Sequence, residues 1–239
     1  MANNRDFVNI GTLQWVRRRA EDASAMRMVV LAAGKGWRLR SETAGGPKQL
    51  VDVGGQTVLD RLLAFGRLLG LTPLVVTRQA LAAVLEVAGI DTLVVEETPD
   101  MLATLSLARC RVAEDFLWVG GDTLLTDPEP VRELLASHLA ERPYGSFLYR
   151  RSDRHLAKLR PAAPVPQVTL TREGDYPFSL PNIGIQSAAS FADLEVDPRG
   201  DYLQRALDRG ERIAFREYTA PVFEIDTPAD LAAARSYYS

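Results

Sequence analysis

Cysteine occurs once, at Cys110, and histidine twice, at His138 and His155. One thiol closes no internal disulfide, and no His/Cys spacing has the form of a zinc site, so neither staple is expected to hold the chain together. No Ser or Cys nucleophile motif accompanies the histidines, which gives neither a catalytic role. Both are expected on the surface, and Cys110 is expected buried in a helix. No run reaches the roughly 18 consecutive apolar residues of a membrane span. Arg17-Arg18-Arg19 is followed by Glu21 and Asp22 rather than by the apolar core of a signal peptide. A cytoplasmic protein that meets no membrane is the expectation. A net charge of -3 over 239 residues indicates no broad nucleic-acid footprint.

Lysine is scarce as well. Of 28 basic residues three are lysine, at Lys35, Lys48 and Lys158, and two of those fall in one short stretch. Where arginine is the default surface cation, a compact ammonium on a flexible stem suggests a phosphate partner.

What the chain does have is alternation. "MRMVVLAAG" is a short β-branched run delivered into a glycine loop, the pattern of a buried strand. A helical stripe follows in "TVLDRLLAFGRLLG", closed by Gly70. Then come strand "TPLVVTR", helix "QALAAVLEVAG", strand "DTLVVEE", helix "PDMLATLSLARCRVAE", strand "DFLWVGGD" and helix "DPEPVRELLASHLAER". Beyond Pro143 the pattern loosens into strand "YGSFLYRRS", a proline-rich passage with short strands, helix "GDYLQRALDRG", strand "ERIAFREYTA" and a terminal helix capped by Thr227 with Pro228 in its first turn. This order predicts an α/β fold, a Rossmann-like, mostly parallel mixed sheet flanked by helices in a single domain. Residues 1–25 read as an N-terminal extension with a helix from Thr12. Residues 26–142 read as a nucleotide-binding half and 143–239 as an acceptor-binding half. Ligands of such sheets bind at the carboxyl ends of the strands, which makes Gly34-Lys35-Gly36 and Gly120-Gly121-Asp122 expected neighbours.

Two glycine motifs are excluded. Nothing supplies G-x-x-x-x-G-K-[ST], and the dinucleotide fingerprint fails because position 39 is leucine. On glycines alone, a tight turn is sufficient explanation. However, Gly34 and Gly36 allow consecutive amides to face one point, Arg38, Arg40 and Lys48 bring cations to the same loop, and Pro47 fixes the entry to Lys48. A polyphosphate satisfies all of these.

The stretch "LAAGKGWRLRSETAGGPKQL" resembles the signature of nucleotidyltransferases with the GT-A-like fold, L-A-A-G-x-G-x-R followed by P-K-x-L. "FLWVGGDTLL" is similar to that family's metal-binding strand, and "FEIDTPADLAAA" resembles its closing motif I-D-T-P-x-D-L. The resemblance implies transfer of a nucleotidyl group from a nucleoside triphosphate to a small phosphorylated acceptor, a sugar phosphate, phosphocholine, a polyol phosphate or a phosphonate, with release of pyrophosphate. It implies Mg²⁺ held by Asp122 and Asp226, a nucleotide site at Leu31, Ala32, Ala33, Gly34, Lys35, Gly36, Thr104 and Gly121, and catalytic Arg38 and Lys48. Trp37, Lys158 and Asn182 are candidates on the acceptor side. Compact size favours CTP and the cytidylyltransferase branch over the larger hexose enzymes, while the PKQL wording, which also occurs in thymidylyltransferases, keeps the sugar-phosphate branch open. A molybdopterin guanylyltransferase-like enzyme and a non-catalytic nucleotide-binding protein on the same scaffold are the alternatives.

Each assignment has a plainer counterpart. Asp122 could cap a turn, Asp226 precedes a good helix start, and Thr104 could bond back to the preceding helical turn. Lys158 lies in "RRSDRHLAKLR", where a solvated loop is sufficient explanation. Trp37 and Glu224 depart from the family's usual residues and leave the acceptor open, as is a homodimer.

Overall fold

The computed structural model describes residues 26–151, 157–160, 167–170, 178–196 and 202–239. The extension 1–25 and His155 lie outside the described residues, and of Lys158 the backbone alone is described.

β1 (Arg27–Ala32) is buried along its length apart from Arg27. Successive side chains leave on opposite faces, so Met28, Val30 and Ala32 enter one hydrophobic cluster while Val29 and Leu31 enter the other. A central strand with both faces covered has no polar face, which is why its text is a continuous apolar run. Each fully buried Val or Leu contributes about 1.5–3 kcal/mol. The chain turns through a hairpin of β2 (Asp52–Val53) and β3 (Gln56–Thr57) into α1 (Val58–Leu68). Thr57 and Asp60 form a reciprocal capping box at its start, and Gly70, with φ of 74°, follows its end. β4 (Thr72–Thr77), α2 (Gln79–Val87) and β5 (Thr92–Val94) continue the alternation. α3 (Met101–Leu107) then leads to β6 (Phe116–Gly120), β7 (Thr123–Leu125) and α4 (Glu129–Glu141).

In the second half, β8 (Gly145–Arg151), β9 (Ala157–Arg160), β10 (Gln167–Leu170), β11 (Phe178–Ser179) and β12 (Ile183–Gln186) precede α5 (Ala188–Val196) and α6 (Tyr202–Asp208). β13 (Ile213–Glu217), β14 (Val222–Glu224) and α7 (Pro228–Tyr238) complete the chain.

The main sheet runs β10-β9-β11-β8-β12-β6-β1-β4-β5. β6, β1, β4 and β5 are parallel, whereas β12 joins antiparallel to both β6 and β8. β13 pairs parallel with Gly145–Tyr149 of β8, and β11 takes the remaining Arg150–Arg151 of the same strand. The mixed α/β fold is therefore as expected, with the parallel run β6-β1-β4-β5 in the first half and one further parallel pair, β8 with β13, in the second. A separate antiparallel pair, β7 with β14, brings the chain's last strand to the end of β6.

Three local expectations are corrected. The third helix ends at Leu107 and continues only as a 3₁₀ turn over Ala108–Cys110. Cys110 is consequently exposed, its Sγ 3.3 Å from the Leu107 carbonyl oxygen. His138 is wholly buried rather than on the surface, with Nδ1 2.8 Å from Ser146 Oγ and Nε2 3.2 Å from Asp115 Oδ2. The hydrogen bond from His138 comes first among the causes that hold the Asp115 carboxyl below its usual range, although partial burial pushes the other way. The ionised carboxylate only accepts, so Nε2 carries the hydrogen of that contact.

Candidate active site

The loop after β1 is shaped by two constraints. Gly36 has φ of 63°, a left-handed conformation that favours glycine, and a Cβ there would stand 3.3 Å from Cβ and Cγ of Lys48. The Leu39 amide closes the turn on the Gly36 carbonyl at 3.0 Å, and the Leu39 side chain is fully buried, anchoring the loop to the core. Pro47 holds an extended backbone, and Lys48–Leu50 forms a 3₁₀ turn with Gln49 buried beside it. The stem of Lys48 thus runs beneath Gly36, and its ammonium points inward.

That ammonium meets two carboxylates. Lys48 Nζ donates to Asp122 Oδ2 and, at 2.9 Å, to Asp226 Oδ1. The side chain of Lys48 is only 10% exposed. Burial by itself would lower its pKa, but the charges of Asp122 and Asp226 and their hydrogen bonds outweigh burial and hold it above its usual value. Arg38, on the rim, places its guanidinium 3.1 Å from Asp226 Oδ2.

The carboxylates are brought together by β7 and β14. Asp122 stands just beyond the end of β6, after Gly121, and the Ile225 amide donates to its backbone carbonyl at 2.9 Å. Immediately after, Thr227 caps α7 in a capping box with Asp230, and Asp230 Oδ2 also accepts from the Asp226 amide at 3.2 Å. Capping and placement of Asp226 therefore coexist. Gly121 lies so close to β1 that a Cβ would approach the Leu31 carbonyl oxygen to 2.8 Å.

Above these groups lies a cavity of about 470 Å³. Leu31, Ala33, Gly34, Lys35 and Gly36 line one wall, with Trp37 and Arg38 above Lys48, Asp122 and Asp226. Asn182 and Thr104 also line it. Ala32 and Gly121 do not. Ala32 is turned into the core, and Gly121 is the close-packing residue behind the wall. Lys158 sits on β9, in register with Ser179 and Thr169, and its side chain lies outside what is described.

Thr104 makes the helical back-bond of its plainer reading and also faces the cavity. It lines the cavity while its Oγ1 donates back to the Asp100 carbonyl at 3.0 Å and lies 2.5 Å from Thr98 Oγ1. Trp37 is 56% exposed, with the Arg40 guanidinium 4.1 Å and the Lys35 ammonium 5.5 Å from its ring centroid. Lys35 forms an ion pair with Glu97, across the cavity on the loop between β5 and α3. Sequence reasoning missed Glu97, Thr98 and Gln49. Nothing in "VVEETPD" separates Glu97 from Glu96 until the loop is folded. Among the described residues no cluster of three or more His, Cys, Asp or Glu could hold a metal, and no helix is long and apolar enough to cross a membrane.

A family profile described as the MobA-like NTP transferase domain matches residues 28–195. A bifunctional protein GlmU from Leifsonia xyli subsp. xyli is 34% identical over 125 residues, which are 48% of this chain and 25% of that protein. The chain therefore spans about a quarter of the length of this curated relative. Among solved structures, the inositol-1-phosphate CTP transferase from T. maritima superposes with a TM-score of 0.73 at 21% identity, covering 90% of this chain and 96% of that one. A UTP-bound UGPase from Acinetobacter baumannii gives 0.74 at 15% identity, covering 89% and 93%. At these identities the two structures establish the fold.

Proposed function

The chain belongs to the MobA-like NTP transferase domain family, and from that premise we propose that it joins a nucleoside triphosphate, with CTP favoured, to a small phosphorylated acceptor and releases pyrophosphate. The observation that carries this reading is the convergence of Lys48, Asp122 and Asp226 at the base of a cavity walled by Gly34–Arg38.

An acceptor phosphate oxygen attacks the α-phosphorus in line, and pyrophosphate leaves from the opposite side. Two anions must approach, so the barrier falls with preorganised positive charge and with alignment of the reactants. The amides of Gly34, Lys35 and Gly36, with the Lys35 and Arg38 side chains, hold the β- and γ-phosphates. Lys48 serves the α-phosphate, and its raised pKa keeps it cationic at neutral pH. Asp122 and Asp226 suit Mg²⁺, because both direct hard carboxylate oxygens at a single cation, the Lys48 ammonium. Held by these two residues, the ion supplies charge neutralisation at the phosphates. Thr104, which lines the cavity, is assigned to the nucleobase, and Trp37 and Asn182, also in its lining, to the acceptor.

The test is pyrophosphate release with each common triphosphate against sugar phosphates, phosphocholine, inositol phosphate and phosphonates at millimolar Mg²⁺. Turnover with CTP and one acceptor class is expected. GTP as the sole donor would select the molybdopterin guanylyltransferase-like alternative. Binding without turnover for every pair would leave a nucleotide-binding protein.

A further inference from the structure

Four carboxylates line the cavity, at Glu97, Asp100, Asp122 and Asp226. Three have evident work. Asp122 and Asp226 converge on Lys48, and Asp100 caps α3 by accepting from the Ala103 amide at 2.8 Å. Glu97 does none of this. Among the described residues its one polar contact is Lys35, and its side chain is 59% exposed. It caps no helix, joins no ladder and lies on a connecting loop, so the fold does not depend on it. A carboxylate paired with a cavity cation competes with any anionic ligand for that cation.

We propose that Glu97 is an internal competitor for the phosphate chain: its carboxylate occupies Lys35 between turnovers, yields it to an entering triphosphate, and recaptures it as pyrophosphate departs. This rests on the nucleotidyltransferase reading and adds a regulating residue to it. A carboxylate and a phosphate oxygen both accept charge-assisted bonds from one ammonium, so the two occupancies exclude each other. A triphosphate also engages the loop amides, Arg38 and Lys48, and outcompetes a single side chain. Pyrophosphate, bound by fewer groups, is displaced more readily. The ion pair is partly exposed, Lys35 being 34% and Glu97 59% accessible, so its strength is modest and the exchange is reversible. In the position where it pairs with Glu97, the same ammonium stands 5.5 Å from the Trp37 ring centroid.

Titration calorimetry with pyrophosphate and with each common triphosphate tests this on the full chain, comparing the natural protein with Glu97→Gln, Lys35→Ala and the double variant. Glu97→Gln is expected to bind pyrophosphate about three- to tenfold tighter, and that gain is expected to vanish in the Lys35→Ala background. Unchanged or weaker binding by Glu97→Gln, or an equal gain without Lys35, overturns the proposal. So does a changed ranking of the triphosphates with unaltered pyrophosphate affinity, which would place Glu97 at the nucleobase. Failure of every variant to bind pyrophosphate or any triphosphate overturns the nucleotidyltransferase reading itself, and the competitor with it.

Discussion

The Ile225 amide donates to the Asp122 carbonyl at 2.9 Å, fastening the closing motif directly to the end of β6. This single backbone contact places Asp226 beside Asp122, although β14 lies far along the chain from β6. The pairing of β14 with β7, in register from Val222 opposite Leu125 to Glu224 opposite Thr123, extends the same junction.

Lys48→Ala removes the cation on which both carboxylates converge. Turnover is expected to fall by about 10²–10³-fold, the usual cost of losing one electrostatic stabiliser of a transition state. The folded state is expected to survive, since the lysine stem is backed by Gly36 rather than by the core. Steady-state kinetics with circular dichroism decide it. Retained kcat with only a raised KM would move Lys48 from transition-state to ground-state binding.

Gly121→Ala tests placement without touching a charge. The added methyl would stand 2.8 Å from the Leu31 carbonyl oxygen and 3.0 Å from Ala32 Cα, both backbone-held. Separation of β6 from β1 is expected, costing about 1–3 kcal/mol as overpacking does. Asp122 moves with it. Thermal unfolding should show a lower Tm, and activity should fall more than stability alone accounts for.

Asp115 provides the pH test. It accepts from His138 Nε2 at 3.2 Å, Arg142 at 3.1 Å and the Ala188 amide at 3.1 Å. Its folded pKa lies below the usual 3.8, so its stabilisation is present above that value and lost as pH falls through the folded value. Asp115→Ala is expected to destabilise by about 1–3 kcal/mol at pH 7, mainly by stranding the buried His138 hydrogen. The gap between variant and natural protein should narrow below about pH 3.8. Urea midpoints at pH 7 and pH 3 measure both.

The parts of the fold legible in the sequence are those with a long enough period. β1, β4 and β6 carry apolar runs that end at Ala32, Thr77 and Gly120, and α1 and α7 announce themselves by Thr-x-x-Asp capping boxes. β2, β3, β7 and β14 are two or three residues long, too short for any period to register. α5 was hidden too, although Ser187 accepts from the Ser190 amide at 3.1 Å as a cap would. The burial of His138 could have been read from Val131, Leu134 and Leu135, since position 138 continues their helical stripe. Cys110 is exposed because the helix gives way at Leu107 to a 3₁₀ turn, a change that no breaker residue in "LARCRVAE" marks.

The cavity divides in the same way. Lys48, Asp122 and Asp226 stand in motifs, each with local spacing that marks it, and the structure brings them together. Glu97 and Gln49 have no local signature. Their position depends on where β5 and the 3₁₀ turn after Pro47 deliver them, which is a property of tertiary packing.

The three-residue ladder between β14 and β7 ties together two distant stretches of the chain. Lys48 and Asp122 belong to the first half, and Asp226 reaches them from the strand that this ladder docks, so the pairing of the two carboxylates hangs on a junction separate from the main sheet.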